Sequence, residues 1–359
     1  MPLLKKTPLN RVHHELGARM TEFAGWELPV WYTSILAEHR VVRSQAGLFD
    51  VSHMGRIWIS GKEAGDFLDK VLTRSAKRLP VGSSQICLLC SEGGGILDDL
   101  CLYRLEVNQY LLVWNAGNPE RKLDWLLRWS ESFAVVIEDR SLDTVMLAIQ
   151  GPAAVQLEPL RPFSGLPHFG HVQARMGGKE VLISRTGYTG EDGFELISEV
   201  SNALPLWELF LKQGVKPCGL GARDSLRLEA GLLLYGQDMD AHTNPFEVGL
   251  ERLVDLDRDD FVGQEALLEA RCQGVRRKLI GFRLEGREIA RPGYKILKSG
   301  REVGAVTSGG YAPSLGLSVG LGYVPSELAT VGTSIEIAVR RKVVRARVVE
   351  RRFYRGRSG

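Results

Sequence analysis

Residues 93–117, GGGILDDLCLYRLEVNQYLLVWNAG, decide how we interpret the rest of the chain. Three glycines are followed by two apolar runs, residues 96–105 and 110–114, with a short polar connector between them. Two such runs joined by a short polar connector predict a β-hairpin. If the turn centres near Val107, then Asp99 and Asn115 are cross-strand neighbours, whose Cβ atoms lie roughly 5 Å apart. The pattern therefore predicts a carboxylate beside an amide in apolar surroundings.

The alternation of a strand places the two acids of this stretch on opposite faces. Asp99 shares a face with Leu97 and Cys101, while Asp98 faces the other way. A carboxylate buried there is unfavourable unless something binds it. Because Asp and Asn are also common turn residues, a capped turn with a solvated acid is the alternative.

Composition indicates a globular chain of two or three domains. The chain has 359 residues, of which 44% are hydrophobic and 25% charged, and so large a chain exceeds one ordinary core. No apolar run is long enough to span a membrane, and the N-terminus MPLLKKTPLN lacks the apolar core of a signal peptide. The odd number of cysteines, five, fits a reducing compartment, so we expect a cytoplasmic protein.

Neither the cysteines nor the histidines are spaced for a metal site. Cys87 and Cys90 have a C-x-x-C spacing, but they lie in an apolar strand-like run that would point them to opposite faces. We therefore predict that they are core residues. The seven histidines are scattered, and His53 has no second histidine at metal-binding spacing. No metal is expected.

The C-terminus is strongly basic although the net charge is only +3. Such a tail can bind an acidic protein, an anionic small molecule or nucleic acid, or it can be a solvated strand edge. Few aromatic residues interrupt it, so nucleic-acid binding rests on the tail alone. The nine basic residues are Arg340, Arg341, Lys342, Arg345, Arg347, Arg351, Arg352, Arg355 and Arg357.

The order of patterns predicts an α+β protein that ends in an all-β domain. Residues 23–32 are typical of a packed loop, and residues 278–349 predict a small β-barrel or jelly roll. No phosphate-binding loop or dinucleotide fingerprint is present. Helices are predicted at 3–20, 34–44, 62–71, 118–131 and 219–231 and after Gly151-Pro152, and strands at 56–60, 85–89, 145–149 and 181–184.

A second hairpin is predicted at residues 185–195. With its turn at Asp192-Gly193, Tyr188 and Glu195 face each other, and the glycines allow a flat ligand to approach the backbone. The alternative is an ordinary hairpin with an exposed glutamate. In the helix at 219–231, Arg223 and Arg227 lie on one side, where they bind an anion or pair with Asp224 or Glu229.

Several motifs, in register, resemble one family along nearly the whole chain. The chain resembles the aminomethyltransferase, or T-protein, family of the glycine cleavage system. The motifs are FAGWELPVWY from Phe23, DVSHMG at 50–55, GGILDDL at 94–100, NAGN at 115–118, GYTGEDGFE at 187–195, ARDSLRLEAGLLLYGQD at 222–238, VTSGGYAPSLG from Val306 and the FYR near the end.

The resemblance implies a fold and a reaction. The fold is three α+β and β-barrel domains around a central opening that binds folate. We assign the domains to residues 1–50 with 141–270, 51–140, and 271–359. The reaction transfers the methylene of an aminomethyl group, carried on the lipoyl arm of the small acidic H-protein, to tetrahydrofolate. It releases ammonia and leaves 5,10-methylenetetrahydrofolate and the dihydrolipoyl carrier.

The resemblance also implies the site residues. Asp99 is the catalytic acid near the folate N5, where it favours attack and stabilises cationic iminium character. The residues implied to contact folate or substrate are Met54, Asn115, Tyr188, Glu195 and Arg223, with Arg355 a candidate for the anionic glutamate tail. A carboxylate such as Glu195 can accept two adjacent N–H donors of a pterin edge together.

Two alternatives share this fold. A folate-dependent demethylase of a methylated amine would have a nearly identical site and a different donor. A folate-binding iron–sulfur assembly factor would carry a KGCYxGQE motif, whereas the comparable stretch here, residues 247–251, has no cysteine. The chain also departs from the family pattern at Ile86, where a tyrosine is usual.

Overall fold

The computed structural model describes residues 3–356. The strands are β1 Lys5–Lys6, β2 Arg19–Phe23, β3 Trp26–Trp31, β4 Gly47–Asp50, β5 Gly55–Ser60, β6 Ser83–Cys90, β7 Ile96–Glu106, β8 Gln109–Trp114, β9 Val136–Asp139, β10 Thr144–Gln150, β11 His171–Met176, β12 Lys179–Ser184, β13 Gly193–Glu199, β14 Lys216–Pro217, β15 Arg277–Leu284, β16 Lys295–Lys298, β17 Arg301–Ala312, β18 Leu317–Pro325, β19 Ser334–Val339 and β20 Lys342–Val349. The α-helices are α1 Asn10–Glu15, α2 Ile35–Ser44, α3 Ala64–Val71, α4 Pro119–Ser130, α5 Ala203–Lys212, α6 Leu220–Glu229 and α7 Gln264–Gln273.

Local sequence signals set the ends of several helices. Ser34 caps α2 by accepting a hydrogen bond from the backbone N–H of Ala37 at 3.2 Å. Pro119 occupies the first turn of α4, where no helical N–H is lost. Gly17, with a φ of 73°, follows α1 and stops it after six residues.

Two β-sheets pack face to face. A six-stranded sheet has the order β11-β12-β13-β10-β4-β14, and a five-stranded sheet has the order β6-β7-β8-β5-β9. Their facing sides share one apolar cluster that includes Phe49 and Met146 from the first sheet and Tyr103 and Val113 from the second. Helix α5 covers the outer side of the six-stranded sheet, and α3 and α4 cover that of the five-stranded sheet.

The C-terminal strands close into a six-stranded barrel with the order β15-β18-β17-β16-β19-β20. Its interior is filled by apolar side chains such as Phe282, Ile296 and Ile337. The barrel prediction for residues 278–349 is therefore confirmed, and packed side chains fill the barrel.

Two predictions near the N-terminus are wrong. The predicted helix at 3–20 is confined to α1, because residues 5–6 and 19–23 form strands β1 and β2. The segment 23–32 is not a loop, since β2 and β3 pair as an antiparallel hairpin. Its turn is Ala24-Gly25, with φ values of 49° and 79°, and two positive φ angles suit the twist of a tight hairpin.

Most of the other element predictions hold. The predicted hairpin is β7–β8, and its register pairs Leu100 with Trp114. The predicted helix after Gly151-Pro152 is only two short 3-10 turns, Ala154–Gln156 and Arg161–Phe163. Cys87 and Cys90 are buried in two different clusters, as expected for core residues.

The domain boundaries stay a prediction. The six-stranded sheet, the five-stranded sheet and the barrel each lie within one predicted domain. The residues at both extreme ends, including Arg357 of the basic tail, lie outside the described part. Within residues 3–356, no helix is long and apolar enough to cross a membrane.

Candidate active site

A cavity of about 600 Å³ lies where the two sheets, α6 and the N-terminal hairpin meet. Both predicted hairpins contribute to it, since Asp99, Asn115, Tyr188 and Glu195 line the cavity together. Its volume is in the range of small-molecule sites. The sheet-to-sheet packing thus brings together side chains that are up to 96 positions apart in the chain.

Asp99 and Asn115 are cross-strand neighbours, as the first hairpin predicts. The side-chain amide of Asn115 donates to Asp99 Oδ1 at 3.0 Å and to the Asp99 carbonyl oxygen at 3.1 Å. The capped turn with a solvated acid is excluded, because Asp99 lies on β7 and lines the cavity with Cys101. Asn115 therefore fixes the orientation of this carboxylate.

Asp98 forms a second, fully buried acid site behind the cavity. It accepts hydrogen bonds from Lys122 Nζ at 2.6 Å and from the backbone N–H of Asn115 at 3.1 Å. The amide of Asn115 also donates to its Oδ1, at 2.8 Å. Burial raises the pKa of Asp98, and Lys122 opposes that rise. The ammonium group of Lys122 and the two hydrogen bonds from Asn115 favour its charged form.

The neighbouring charge matters for Asp99. Burial, and then the carboxylate of Asp98, raise the pKa of Asp99 to about 7, against the opposing hydrogen bond from Asn115. A carboxyl group with a pKa near neutrality can gain or lose a proton at working pH. This arrangement is typical of a catalytic acid or base. Sequence patterns did not reveal the role of Lys122, whose only signal was a lysine among the leucines of α4.

Glu195 is buried on β13 with one oxygen held by the protein. Thr186 Oγ1 donates to Glu195 Oε2 at 2.6 Å. Cross-strand pairing places Glu195 opposite Ser184 and Ala148. The prediction that Tyr188 faces Glu195 across a turn at 192–193 is therefore wrong.

Tyr188 and Glu195 are not cross-strand neighbours because the loop between β12 and β13 is longer than a tight turn. Residues 185–192 form this loop. Arg185 closes its base by donating hydrogen bonds to Asp192 at 2.9 and 2.6 Å. Gly193 is already the first residue of β13 rather than part of a turn. Tyr188 reaches the cavity from this loop, and its hydroxyl donates to the Leu233 carbonyl oxygen.

Arg223 and Arg227, one helical turn apart on α6, have different roles. Arg227 pairs with Asp224 at 2.8 Å and Asp238 at 2.7 Å. Arg223 lies with its guanidinium carbon 4.8 Å from the ring centre of Tyr188, and among residues 3–356 its buried Nη1 has no hydrogen-bond partner. Burial lowers the pKa of Arg223, and Glu195 opposes this. Arg223 lines the cavity, and a buried guanidinium N–H without a partner there suits an anionic or carbonyl-bearing ligand.

Met54 and Ile86 also line the cavity. Ile86 thus stands at the site itself, where the family usually has a tyrosine. His53, for which the sequence analysis predicts no metal-binding role, lines the cavity as well. Burial, and then the charge of Arg223, lower the pKa of His53 to about 3, so it is neutral. Sequence reasoning missed it because a single histidine carries no spacing signal.

Arg355 is exposed and is not among the residues that line the cavity. Its contact with a folate tail stays a prediction. The adjacent Tyr354 packs on Arg43, at 4.0 Å from the ring centre. In the described part of the chain, no group of three or more His, Cys, Asp or Glu side chains is arranged to bind a metal.

Comparison with known families places the chain. Residues 9–258 match the GCVT N-terminal domain, and residues 277–355 match the glycine cleavage T-protein C-terminal barrel domain. The first match covers the two sheets that form the cavity, and the second covers the closed barrel. The chain therefore belongs to the glycine cleavage T-protein, or aminomethyltransferase, family.

Similarity to full-length relatives supports the same family assignment. The chain is 46% identical to an aminomethyltransferase of Thermotoga maritima, with 98% of each chain covered. It is 45% identical to one of Rubrobacter xylanophilus, with 98% of this chain and 95% of that one covered. The crystal structure of glycine cleavage system aminomethyltransferase T from Bartonella henselae superimposes with a TM-score of 0.92 at 37% identity, covering 99% of both chains. The chain is an aminomethyltransferase of glycine cleavage, and the predicted fold class is confirmed.

Proposed function

We propose that the cavity binds tetrahydrofolate as the acceptor and that Asp99 is the catalytic acid. The observation that carries this proposal is the Asp99 carboxyl group, with a pKa raised to about 7, held by Asn115 at the cavity wall. Placed beside the reacting nitrogen, it can hold or release a proton there, and its charged form stabilises a cationic iminium carbon.

The other side chains fit a reduced folate. Glu195 has Oε2 held by Thr186, and the carboxylate can accept adjacent N–H donors of a pterin ring. The free Nη1 of Arg223 suits a carbonyl or carboxylate oxygen of the ligand. Tyr188, Asn115 and Met54 complete the contacts that we propose.

The donor in this proposal is the aminomethylated lipoyl arm of the H-protein. The carbon–sulfur bond to the lipoyl arm and the bond between carbon and the amino nitrogen break. Two bonds form between the methylene carbon and the two folate nitrogens. The two folate nitrogens each lose a proton, of which one goes to the amino nitrogen and one to the lipoyl sulfur. Ammonia and the dihydrolipoyl carrier leave, so the atoms balance without an oxidant.

Asp99→Asn tests the proposal. We expect tetrahydrofolate binding within about threefold of wild type and a loss of transfer activity of at least about a hundredfold, because an amide neither holds the proton nor stabilises the cation. The assay measures methylenetetrahydrofolate formed from aminomethylated carrier, with dimethylglycine as the comparison donor.

Asp124→Asn is the matched control, since Asp124 is an exposed carboxylate on α4 outside the cavity. It should retain wild-type turnover. Wild-type turnover by Asp99→Asn would exclude Asp99 as the catalytic acid. Equal product from dimethylglycine would instead favour the demethylase alternative.

A further inference from the structure

Tyr188 and Arg223 contact each other in the cavity, although one lies in a loop and the other on a helix. Tyr188 lies in the loop 185–192, and Arg223 lies on α6. A loop of eight residues does not hold a side chain precisely by itself. The spacing of this pair therefore depends on contacts that tie the loop to the helix.

Arg43, on α2, makes those contacts. Its Nη1 donates to the Thr189 carbonyl oxygen at 2.8 Å and to Glu191 Oε1 at 3.1 Å, both in the loop. Its Nε and Nη2 donate to Glu229 Oε2 at 3.1 and 3.0 Å, and Nη2 also donates to the Leu226 carbonyl oxygen at 3.3 Å, both on α6. The five N–H groups of a guanidinium match these five bonds.

The C-terminal segment and the barrel close over this contact. The ring of Tyr354 covers the guanidinium at 4.0 Å, and its backbone N–H donates to the Glu229 carbonyl oxygen at 2.7 Å. The backbone N–H of Ser314, between β17 and β18, donates to Glu229 Oε1 at 2.8 Å. Arg43 is only 9% exposed as a result. Loop, helix, barrel and C-terminal segment therefore meet at one buried cation.

We propose that Arg43 is a positioning residue for the tetrahydrofolate site, setting the distance between Tyr188 and Arg223. It does not line the cavity and touches no ligand there. Its effect comes through the fixed fork of the guanidinium, which holds the loop and α6 in one register. The inference rests on the proposed function, because it assumes that this cavity binds folate.

The test compares Arg43→Lys with wild type in the full chain. Lysine keeps the charge, but its point-like ammonium cannot bridge the loop and the helix with five directed bonds. We expect the Kd for tetrahydrofolate, measured by calorimetry, and the KM for tetrahydrofolate to rise together by about tenfold. The kcat should change by less than about threefold, because Asp99 and Asn115 are untouched.

Arg258→Lys is the matched control. Arg258 is a half-buried arginine that donates to the Leu72 carbonyl oxygen and lies 4.6 Å from the ring centre of Phe261, away from the cavity. It should lower the melting temperature to a similar degree without changing the Kd. A Kd that rises equally in both variants would make the effect of Arg43 merely structural and overturn the proposal.

A second pair of variants keeps the test decisive if Arg43→Lys folds poorly. Tyr354→Phe keeps the ring over the guanidinium and should leave the Kd unchanged, whereas Tyr354→Leu should weaken binding by about threefold. An unchanged Kd in Tyr354→Leu would then refute the positioning role alone. A wild-type chain that fails to bind tetrahydrofolate would refute the proposed function itself.

Discussion

At the residue scale, two adjacent acids in one strand have opposite environments. Asp98 is fully buried and ion-paired with Lys122 at 2.6 Å, while Asp99 reaches the cavity with only an amide as its neutral partner. Since strand alternation separates their faces, one residue can hold charge while the next is kept close to neutrality. The fixed charge of Asp98 therefore acts on the reactivity of Asp99 without touching the ligand.

This arrangement predicts a stability effect with a definite sign. The pKa of Asp99 is raised from 3.8 to about 7 in the folded chain, so the folded state binds the proton more tightly than the unfolded state does. Stability is therefore lost as pH rises from about 4 to about 7. The side chain introduced by Asp99→Asn does not titrate. The unfolding free energy of the variant minus that of wild type should therefore increase by on the order of 2 kcal/mol from about pH 5 to about pH 8.

Urea denaturation at the two pH values measures this gain. Asp124→Asn, which changes an exposed carboxylate outside the cavity, is the control at the same two pH values. The raised pKa would be contradicted if the two Asp-to-Asn variants gave the same pH dependence.

At the element scale, the hairpin β7–β8 depends on a close contact with its neighbour β5. Gly55 pairs with Trp114 in the register of β5 and β8. A Cβ atom added at Gly55 would lie 1.7 Å from Trp114 Nε1. The indole ring therefore lies directly on the backbone of β5, and the next residue along β8 is Asn115.

Gly55→Ala should displace this indole ring. We expect a loss of roughly 1–3 kcal/mol in unfolding free energy, as for other overpacked cores, together with lower transfer activity because Asn115 moves with the strand. Gly165→Ala is the control, since a Cβ atom there would meet nothing within 4 Å, and it should stay within about 0.5 kcal/mol. Denaturation curves that are equal for the two variants would contradict the contact.

The first hairpin could be predicted from the sequence, whereas the second could be predicted only in part. The apolar runs around Val107 fix a register, and they placed Asp99 beside Asn115 correctly. Around Glu195 the strands are joined by a loop of eight residues, and glycine-rich sequence does not define where pairing begins. The prediction for residues 23–32 is wrong because Gly25 and Pro29 mark a loop as readily as a hairpin. Pro29 is tolerated on β3 because β1 pairs only with Trp26 and Glu27.

At the scale of the whole molecule, the buried acid Asp238 links the barrel to the site. Asp238 accepts from Arg227 at 2.7 Å and from Ser308 at 2.6 Å, and its carbonyl oxygen accepts from Tyr323 at 2.7 Å. Two of these partners lie in the barrel and one lies on α6, the helix of Arg223. No sequence pattern predicts this contact, because its members are far apart in the chain and only packing brings them together.

The basic C-terminus of the barrel divides into two parts. Arg351 donates to the carbonyl oxygens of Val248 and Gly249, so it has a structural role. Arg345 and Arg347 are exposed on β20, where Arg347 lies 3.6 Å from Glu285. If an acidic carrier protein docks on this face, exposed arginines of β20 such as Arg345 and Arg347 can attract it.

Reversing both charges, with Arg345→Glu and Arg347→Glu together, should raise the KM for the lipoylated carrier by about tenfold at low salt. The dependence of that KM on ionic strength should fall at the same time, since exposed charges act through a screened field. The KM for tetrahydrofolate should not change, because the cavity is formed by other elements. The double variant Lys62→Glu with Arg161→Glu, which makes the same change of charge away from the barrel, separates net charge from location. Docking on β20 would be excluded by a carrier KM that is unaltered in the first variant or raised equally in both.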